Sequence, residues 1–376
     1  HAGNSIGGTG SGTPDALAVW SGGTLTSTSS GTTADAGTYL NLLNTGSGIN
    51  APGSISSGKN LDLTSRASTT SGTGKLTVTG AVQTANDGYV RLAADKDVVI
   101  NNTVTANGSG NLVVTAGLGG TGNLTQGANG ALTSGSGEIN LRAQNDIALS
   151  ANVTTGGNVL AQAVTGAITQ SGGVLSADQA ALTSAGAIGS ASNRIQTNVN
   201  TLALNAGGNA YVTEANALTL AATSTNNGAI DVQTTAGTLT VGSVAVATTV
   251  TPATGGITSL AVGQTLAGVT ADGTGAVTLT ANGATSDVAL GATVRSGTGT
   301  IAVTAGNNIL DTLAGDLGSG TDTSTSGALN LATGGNVTLH AGNSIGSTGS
   351  GTPDALEVWS GGTLTSTSSG TTADAG

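Results

Sequence analysis

The stretch GEINLRAQNDIAL, residues 137–149, decides how this chain folds. After Gly137, the aliphatic residues Ile139 and Leu141 alternate with polar residues, which is the period expected of a half-buried β-strand. The polar run after Ala143 contains Asn and Asp, which tolerate sharp bends. A second alternating run begins at Ile147. The stretch therefore predicts a strand, a sharp bend and a second strand.

Both halves of this stretch recur along the chain. The first half, a glycine followed by alternating aliphatic residues, starts at Gly74, Gly88, Gly110, Gly137, Gly228, Gly237, Gly275, Gly299, Gly327 and Gly335. The second half, with its polar bend, occupies residues 92–98, 141–147, 303–309 and 339–345. We expect each glycine to provide a positive φ angle or a tight corner. Because no segment shows the apolar spacing of an amphipathic helix, the sequence predicts an all-β protein.

The spacing of the strands distinguishes between all-β folds. Successive strand starts lie about 20 residues apart, with some longer steps, which suits the coils of a β-solenoid. Such coils stack at about 4.8 Å, so their strands pair in parallel ladders. A string of sandwich domains is the alternative, but its spacing would be about 100 residues. The sequence thus predicts a parallel β-helix, or β-solenoid, with about 16 coils in each 339-residue unit.

The composition fits a narrow interior and excludes several classes of protein. The chain has 64 Gly, no Cys, Met or Phe, 1% aromatic and 7% charged residues, so its core must be aliphatic. Eight Lys and Arg in a chain of net charge −11 do not form a basic stripe, which argues against nucleic acid as a partner. Since there is no long unbroken apolar run, the sequence predicts no membrane span in this window.

The two ends of the sequence are near copies. Residues 1–37 recur as residues 340–376 with two changes, Gly8 to Ser347 and Ala18 to Glu357. We interpret residues 1–339 as one tandem unit and residues 340–376 as the start of the next, in a parent chain that continues in both directions. The partners expected first are neighbouring repeat units stacked head to tail.

One tryptophan stands in each copy, at Trp20 and Trp359. Strand alternation places Leu17 and Val19 on one face and Trp20 on the other. If Leu17 and Val19 point inward, Trp20 points outward, and the same parity places Trp359 outside. A ring at this position either packs over a loop or corner or forms a surface contact. We therefore treat Trp20 and Trp359 as possible contact residues for carbohydrate or for a neighbouring filament.

The sequence does not contain the residues of known catalytic motifs. Nucleophile elbows, zinc-protease helices, phosphate loops and dinucleotide fingerprints are missing from the sequence. The three glutamates, Glu138, Glu214 and Glu357, stand far apart along the chain, whereas glycosidase chemistry needs paired carboxylates. We predict that the protein is not an enzyme, that it has no cofactor and that it has no catalytic residues.

One acidic cluster was considered for a metal. Asp311, Asp316 and Asp322 lie in a glycine-rich stretch, and carboxylate oxygens of this kind suit Ca²⁺. Because Asp is common in turns, solvated bend residues are the better interpretation, and no metal site is predicted.

The rhythm of GEINLRAQNDIAL and of GTIAVTAGNNIL, residues 299–310, resembles repeats of filamentous-haemagglutinin-like adhesins of the two-partner secretion class. The resemblance covers most of the chain. It implies a right-handed parallel β-helix, an extracellular fibre at a bacterial cell surface, and a role in adhesion or biofilm scaffolding. The Asn-Pro-Asn motifs of that family's secretion domain do not occur in this sequence.

These observations together predict an extracellular structural fibre or adhesin stalk built from tandem β-solenoid units. Its contacts would be neighbouring units, lateral filaments or host and cell-surface glycans. A carbohydrate-binding module on the tryptophan face is the first alternative. A β-helical polysaccharide-degrading enzyme is the second.

Overall fold

The computed structural model describes residues 1–7, 16–20, 25–44, 52–67, 74–250, 259–314, 329–347 and 355–370. These residues form strands, turns and bends without any helix, so the all-β prediction is confirmed. The chain divides into two compact units, the first His1–Asp178 with Thr248–Val262 and the second Gln179–Ala247 with Gly263–Gly376.

Nineteen strands begin within the first unit, the last of them ending beyond it: β1 (Leu17–Trp20), β2 (Leu25–Ser29), β3 (Gly37–Asn44), β4 (Pro52–Ser57), β5 (Asn60–Ala67), β6 (Leu76–Val78), β7 (Val82–Thr84), β8 (Val90–Ala94), β9 (Val98–Ile100), β10 (Val104–Ala106), β11 (Leu112–Ala116), β12 (Leu124–Gln126), β13 (Leu132–Ser134), β14 (Ile139–Ala143), β15 (Ile147–Leu149), β16 (Val153–Thr154), β17 (Asn158–Ala163), β18 (Ile168–Gln170) and β19 (Leu175–Ser184).

The second unit holds the remaining described strands: β20 (Ile195–Ala206), β21 (Ala210–Glu214), β22 (Leu218–Ser224), β23 (Ile230–Thr234), β24 (Leu239–Val241), β25 (Ser243–Val246), β26 (Gln264–Ala267), β27 (Val269–Ala271), β28 (Val277–Ala281), β29 (Val288–Leu290), β30 (Val294–Ser296), β31 (Ile301–Ala305), β32 (Ile309–Asp311), β33 (Leu331–Thr333), β34 (Val337–Ala341), β35 (Ile345–Ser347), β36 (Val358–Ser360) and β37 (Leu364–Ser368).

In the first unit the strands form three parallel ladders, and from β5 to β18 each coil contributes one strand to each of them. The first ladder is β3–β5–β8–β11–β14–β17. The second is β6–β9–β12–β15–β18. The third is β2–β4–β7–β10–β13–β16–β19. Strands that are consecutive in a ladder come from consecutive coils, which is the pairing of a β-solenoid.

The second unit repeats this arrangement. Its ladders are β21–β23–β28–β31–β34–β37, then β22–β24–β29–β32–β35, then β22–β27–β30–β33–β36, with β22 long enough to join two of them. Among the pairings described along the chain, β25 with β26 is the antiparallel exception. This hairpin is inserted between β24 and β27.

The inward positions of most strands are aliphatic and dry. Leu76, Val114, Leu141 and Val303 each have 0% of their surface exposed. In β28 the residues are alternately buried and half-buried, as the period of two in the sequence predicts. The predicted parallel β-solenoid is therefore present in each unit. The handedness of its coils stays a prediction.

The glycines that precede the strands stack on one another from coil to coil. A Cβ atom added to Gly275 would lie 2.2 Å from the carbonyl oxygen of Gly228, and one added to Gly299 would lie 2.3 Å from that of Gly275. Of the ten glycines predicted to turn the chain, Gly74 and Gly237 have positive φ angles. Gly327 lies outside the described residues. Most of the others are needed because the neighbouring coil's backbone comes too close for a side chain.

Asn and Asp side chains at the bends accept hydrogen bonds from the backbone of the next coil. Asp97 Oδ1 accepts the backbone N–H of Asn123 at 2.9 Å, Asn123 Oδ1 accepts that of Asp146 at 3.1 Å, and Asp146 Oδ1 accepts that of Ala167 at 2.8 Å. At a bend the backbone leaves the ladder, so these N–H groups need another acceptor. The side-chain row supplies one for each coil, and we call it the corner row.

The coils vary in length. The chain advances 22 residues from Val90 to its ladder partner Leu112, 27 from Leu112 to Ile139, and 20 from Ile139 to Val159. It advances 47 residues from Ile230 to Val277 because the β25–β26 hairpin is inserted there. The described steps therefore range from 20 residues, the period behind the prediction of about 16 coils per 339 residues, to much longer coils that carry insertions.

Candidate functional site

The outward side of one ladder in the second unit carries a row of side chains that are neighbours across five strands. Adjacent strands bring Thr223, Thr270, Arg295, Ala332 and Trp359 into register, each the direct neighbour of the next. Each is the middle residue of a run of three whose flanking residues point inward in most of the strands. Strand alternation therefore aims these positions away from the solenoid interior, and Ala332 among them is covered, with 2% of its surface exposed.

This row lines a groove of about 570 Å³. Trp359 lines one part of it, Arg295 another, and the exposed Asp272 borders it. Its volume falls in the range of about 300–1,000 Å³ that is usual for ligand pockets. An indole offers a flat apolar face, while Arg, Asp and Thr offer hydrogen-bond donors and acceptors. That combination suits a ring with one apolar face and several hydroxyl groups. We call it the tryptophan groove.

The structure describes the side chain of only one of the two tryptophans. The Trp359 side chain is 38% exposed, as the alternation predicted, and Val358 beside it is half-buried. The side chain of Trp20 lies outside the described part of the structure. The expectation that Leu17 points inside is wrong, because Leu17 is 52% exposed.

Glu138 is far from the other glutamates in the sequence, and the structure shows which residues its carboxylate contacts. Its carboxylate is buried and accepts hydrogen bonds from Thr248 Oγ1 at 2.8 Å and from the Thr249 N–H and hydroxyl at 2.5 and 3.0 Å. Two residues later, the Asn140 side chain binds the backbone of Ala261. Its Oδ1 accepts the Ala261 N–H at 2.8 Å, and its Nδ2 donates to the Ala261 carbonyl oxygen at 3.1 Å. Glu138 and Asn140 thus hold Thr248, Thr249 and Ala261 against β14 within the first unit.

Glu214 is fully buried in the second unit. Its carboxylate accepts the Thr197 hydroxyl at 2.7 Å and the backbone N–H groups of Val199, Ala215 and Asn216 at 2.9–3.3 Å. Burial raises the pKa of the carboxyl above its ordinary value, and these hydrogen bonds act in the opposite direction. Both glutamates therefore serve as buried acceptors for backbone and hydroxyl groups.

The acidic residues considered for calcium are only partly described. Asp311 is 2% exposed, and its Oδ1 accepts the Leu313 N–H at 2.8 Å and the Asn330 side-chain amide at 3.0 Å. Asp316 and Asp322 lie outside the described residues. Where side chains are described, no group of three or more His, Cys, Asp or Glu is placed to hold a metal ion. Asp311 acts as a bend acceptor.

Sequence reasoning found Trp359 but missed the other residues of the groove. Thr270 and Arg295 are unremarkable in the sequence, since each is a single polar residue between two inward ones. The signal that would reveal them is the alignment of third strands, V-T-A, V-R-S, L-A-T and V-W-S, at residues 269–271, 294–296, 331–333 and 358–360. That alignment requires the coil boundaries, which the variable loops conceal.

Comparison with known protein families, with curated protein sequences and with solved structures gives no match for this chain. The described residues include no helix that is long and apolar enough to cross a membrane. The likeness to filamentous-haemagglutinin-like repeats therefore rests on the sequence rhythm.

Proposed function

We propose that the chain is one link of a tandem β-solenoid fibre, an adhesin stalk or scaffold on the outside of a bacterial cell. The observation that carries the proposal is the pairing of the repeated segment. In the first copy Ala2 bridges Ser29, and the N–H groups of Ser30 and Gly31 donate to Ala2 and Asn4. In the second copy the equivalent residues make the same contacts.

The equivalence holds for each of these three contacts. Ala341 pairs with Ser368, the Ser369 N–H donates to Ala341 O at 3.2 Å, and the Gly370 N–H donates to Asn343 O at 3.1 Å. The first-copy bonds are 3.3 and 3.2 Å. A segment that recurs in sequence and in strand pairing supports a chain built from identical, stackable units.

In such a fibre the function is mechanical. Main-chain hydrogen bonds between coils and the dry aliphatic interior contribute similar amounts at every coil, so stability adds along the axis. The near-absence of large side chains and charges keeps the cross-section narrow. The stalk would supply length, stiffness and resistance to proteases, and whatever it carries would sit away from the cell.

Electron microscopy of one unit and of two fused units tests this proposal. We expect thin rods of the same width whose length increases by one constant increment per unit, since each coil adds about 4.8 Å. Display of the two-unit protein on a non-adherent bacterial strain should increase cell attachment, while cells that display an unrelated globular protein serve as the control. A beaded string of separate globules would contradict the proposal.

The tryptophan groove favours a second function, the binding of a neutral glycan. Its aromatic face and polar rim suit a sugar ring, and a chain of net charge −11 repels anionic ligands at long range. Replacing Trp359 with alanine is expected to weaken glycan binding by more than about tenfold, as loss of a central aromatic contact usually does. Binding to an oligosaccharide array measures the effect.

The matched control for that variant is Thr338→Ala, an exposed position on another ladder of the same unit. Both variants should unfold at the temperature of the wild type, because both side chains point outward. Glycan binding that survives in Trp359→Ala, or that falls equally in the control, would exclude the groove as a glycan site.

A further inference from the structure

The first unit also carries a groove, at the corner that the chain turns just before β6, β9, β12 and β15 begin. Its volume is about 350 Å³, and its described lining residues are Lys75, Lys96, Asp97, Thr121, Gly122 and Asn145. That volume lies within the range of about 300–1,000 Å³ that is usual for ligand pockets. We call it the lysine groove.

The ladder of the solenoid brings the two lysines together. β6, β9 and β12 are neighbours in one ladder, so the residues just before them stack from coil to coil. Lys75 stands one residue before β6, and Lys96 stands two residues before β9. The Lys96 N–H donates to Gly74 O at 3.2 Å, which aligns the two coils at this corner. Lys75 and Lys96 are therefore neighbours in space although a whole coil separates them in the sequence.

Both ammonium groups keep hydrogen-bond donors for a ligand. Lys96 is exposed, and its Nζ donates to Thr121 Oγ1 at 2.8 Å, which holds the ammonium group beside the groove. An ammonium group carries three donors, so this contact leaves the others for a ligand. Lys75 is half-buried, and among the described residues its Nζ has no hydrogen-bond or ion-pair partner.

The other lining groups leave the groove open and net positive. Gly122 contributes no side chain, and a Cβ atom there would lie 2.2 Å from Lys96 O. Asp97 sets one carboxylate against the two ammonium groups, and its Oδ1 already accepts a backbone N–H of the next coil at 2.9 Å. Asp95, which precedes Lys96, is paired with Arg66 at 3.2 Å. The charges that remain favour an anionic ligand.

The sequence around the lysine groove is less acidic than the chain as a whole. Six of the eight Lys and Arg lie in residues 59–142, together with five Asp and Glu. Residues 179–376 hold two Lys and Arg and ten Asp and Glu. The repulsion of anions that the net charge of −11 predicts therefore originates mainly in residues 179–376.

We propose that the lysine groove binds the carboxylate of an acidic sugar, a hexuronate within a polysaccharide. The two ammonium groups would hold the carboxylate through charge-assisted hydrogen bonds. The Thr121 hydroxyl, the Asn145 carboxamide and the Asp97 carboxylate supply donors and acceptors for the ring hydroxyl groups. An acidic peptide is less suited, because the described lining residues include no apolar side chain to anchor it. The inference does not depend on the stalk, and its ligand differs in charge from that of the tryptophan groove.

The test compares two ligands that differ in charge. An oligogalacturonate carries a carboxylate on each ring, and its methyl ester is the same sugar chain without the charges. In titration calorimetry the full chain should bind the ester about tenfold more weakly than the acid. Lys75→Gln and Lys96→Gln should each weaken binding of the acid by about tenfold, since each removes a charged donor. Circular dichroism checks that the variants fold.

The matched control is Lys59→Gln, which removes the same charge from the third lysine of the sequence. The Lys59 Nζ donates to the Asn86 carbonyl oxygen at a different bend, so this variant should bind the acid as the wild type does. Equal binding of acid and ester, binding of neither, or an equal loss in the control would overturn the proposal. Equally tight binding of an oligoaspartate would also overturn it, because the ligand would then be a peptide.

Acetylation of the lysines gives a second measurement that needs no variant. The sequence has three lysines, so mass spectrometry after brief acetylation reports each of them separately. Oligogalacturonate should slow the acetylation of Lys75 and Lys96 and leave that of Lys59 unchanged. Protection of none of the three, or of all three alike, would overturn the proposal while leaving the tandem fibre untouched.

Discussion

Replacing Leu279 with alanine is expected to lower the free energy of unfolding by about 2–5 kcal/mol. Leu279 lies in the middle of β28, has 0% of its surface exposed, and has Val232 and Val303 as its ladder neighbours. Truncation leaves a cavity between coils whose backbones are held by their own ladders, so the site cannot collapse around the smaller side chain. Urea denaturation followed by circular dichroism measures the loss.

The neighbouring residue provides the control. Thr278 is half-buried and points outward, and Thr278→Ala is expected to change the free energy of unfolding by no more than about 0.5 kcal/mol. Equal losses in the two variants would mean that β28 is not sided as described. The conclusion that Leu279 faces a dry interior would then be wrong.

The second large effect is expected at the stacked glycines. In Gly275→Ala the new methyl group would meet the Gly228 carbonyl oxygen at 2.2 Å, so one coil must move away from the next. We expect a loss of about 1–3 kcal/mol in the free energy of unfolding, typical of overpacking. The displaced backbone should also weaken the β23–β28 ladder, which hydrogen exchange of the Ile230–Thr234 amides would detect.

Gly242 is the matched control for that substitution. A Cβ atom there has Thr219 Cγ2 as its nearest neighbour, at 3.6 Å, and its φ angle is not positive. Gly242→Ala is therefore expected to be neutral or to stabilise the protein by up to about 1 kcal/mol through the unfolded chain. If Gly275→Ala behaved like Gly242→Ala, the glycine stack would not be a close contact.

The strands and their inward faces were predictable because each depends on a short local pattern. Gly137 to Ala143 shows the strand, its buried face and its starting point within seven residues. The glycines were identified correctly as special positions, but for a reason that is only partly right. At Gly275 the constraint comes from the coil below, 47 residues earlier in the chain, which no local pattern contains.

Coil length and the candidate site were harder to predict for a related reason. Loops and the β25–β26 hairpin can be inserted between strands without disturbing the ladders. The number of residues per coil therefore varies, and the sequence shows no uniform period. Arg295 and Thr270 become neighbours only when the third strands of successive coils are aligned. The burial of Glu138 depends on residues 248 and 249, more than 100 positions away. Trp359 was found because it is rare and its strand parity is simple.

The corner row has a consequence for chemical ageing. Asp97, Asn123 and Asp146 occupy equivalent places in that row, and each accepts a backbone N–H through Oδ1. Deamidation of Asn123 would keep that acceptor but remove the amide nitrogen that donates to Asp97 Oδ1 at 3.4 Å, so two carboxylates of neighbouring coils would then face each other. Asn140 has more to lose, because its amide nitrogen donates to Ala261 O and to the buried carboxylate of Glu138. A carboxylate at residue 140 would face that second carboxylate without solvent between them, so conversion there would weaken the hold on Ala261.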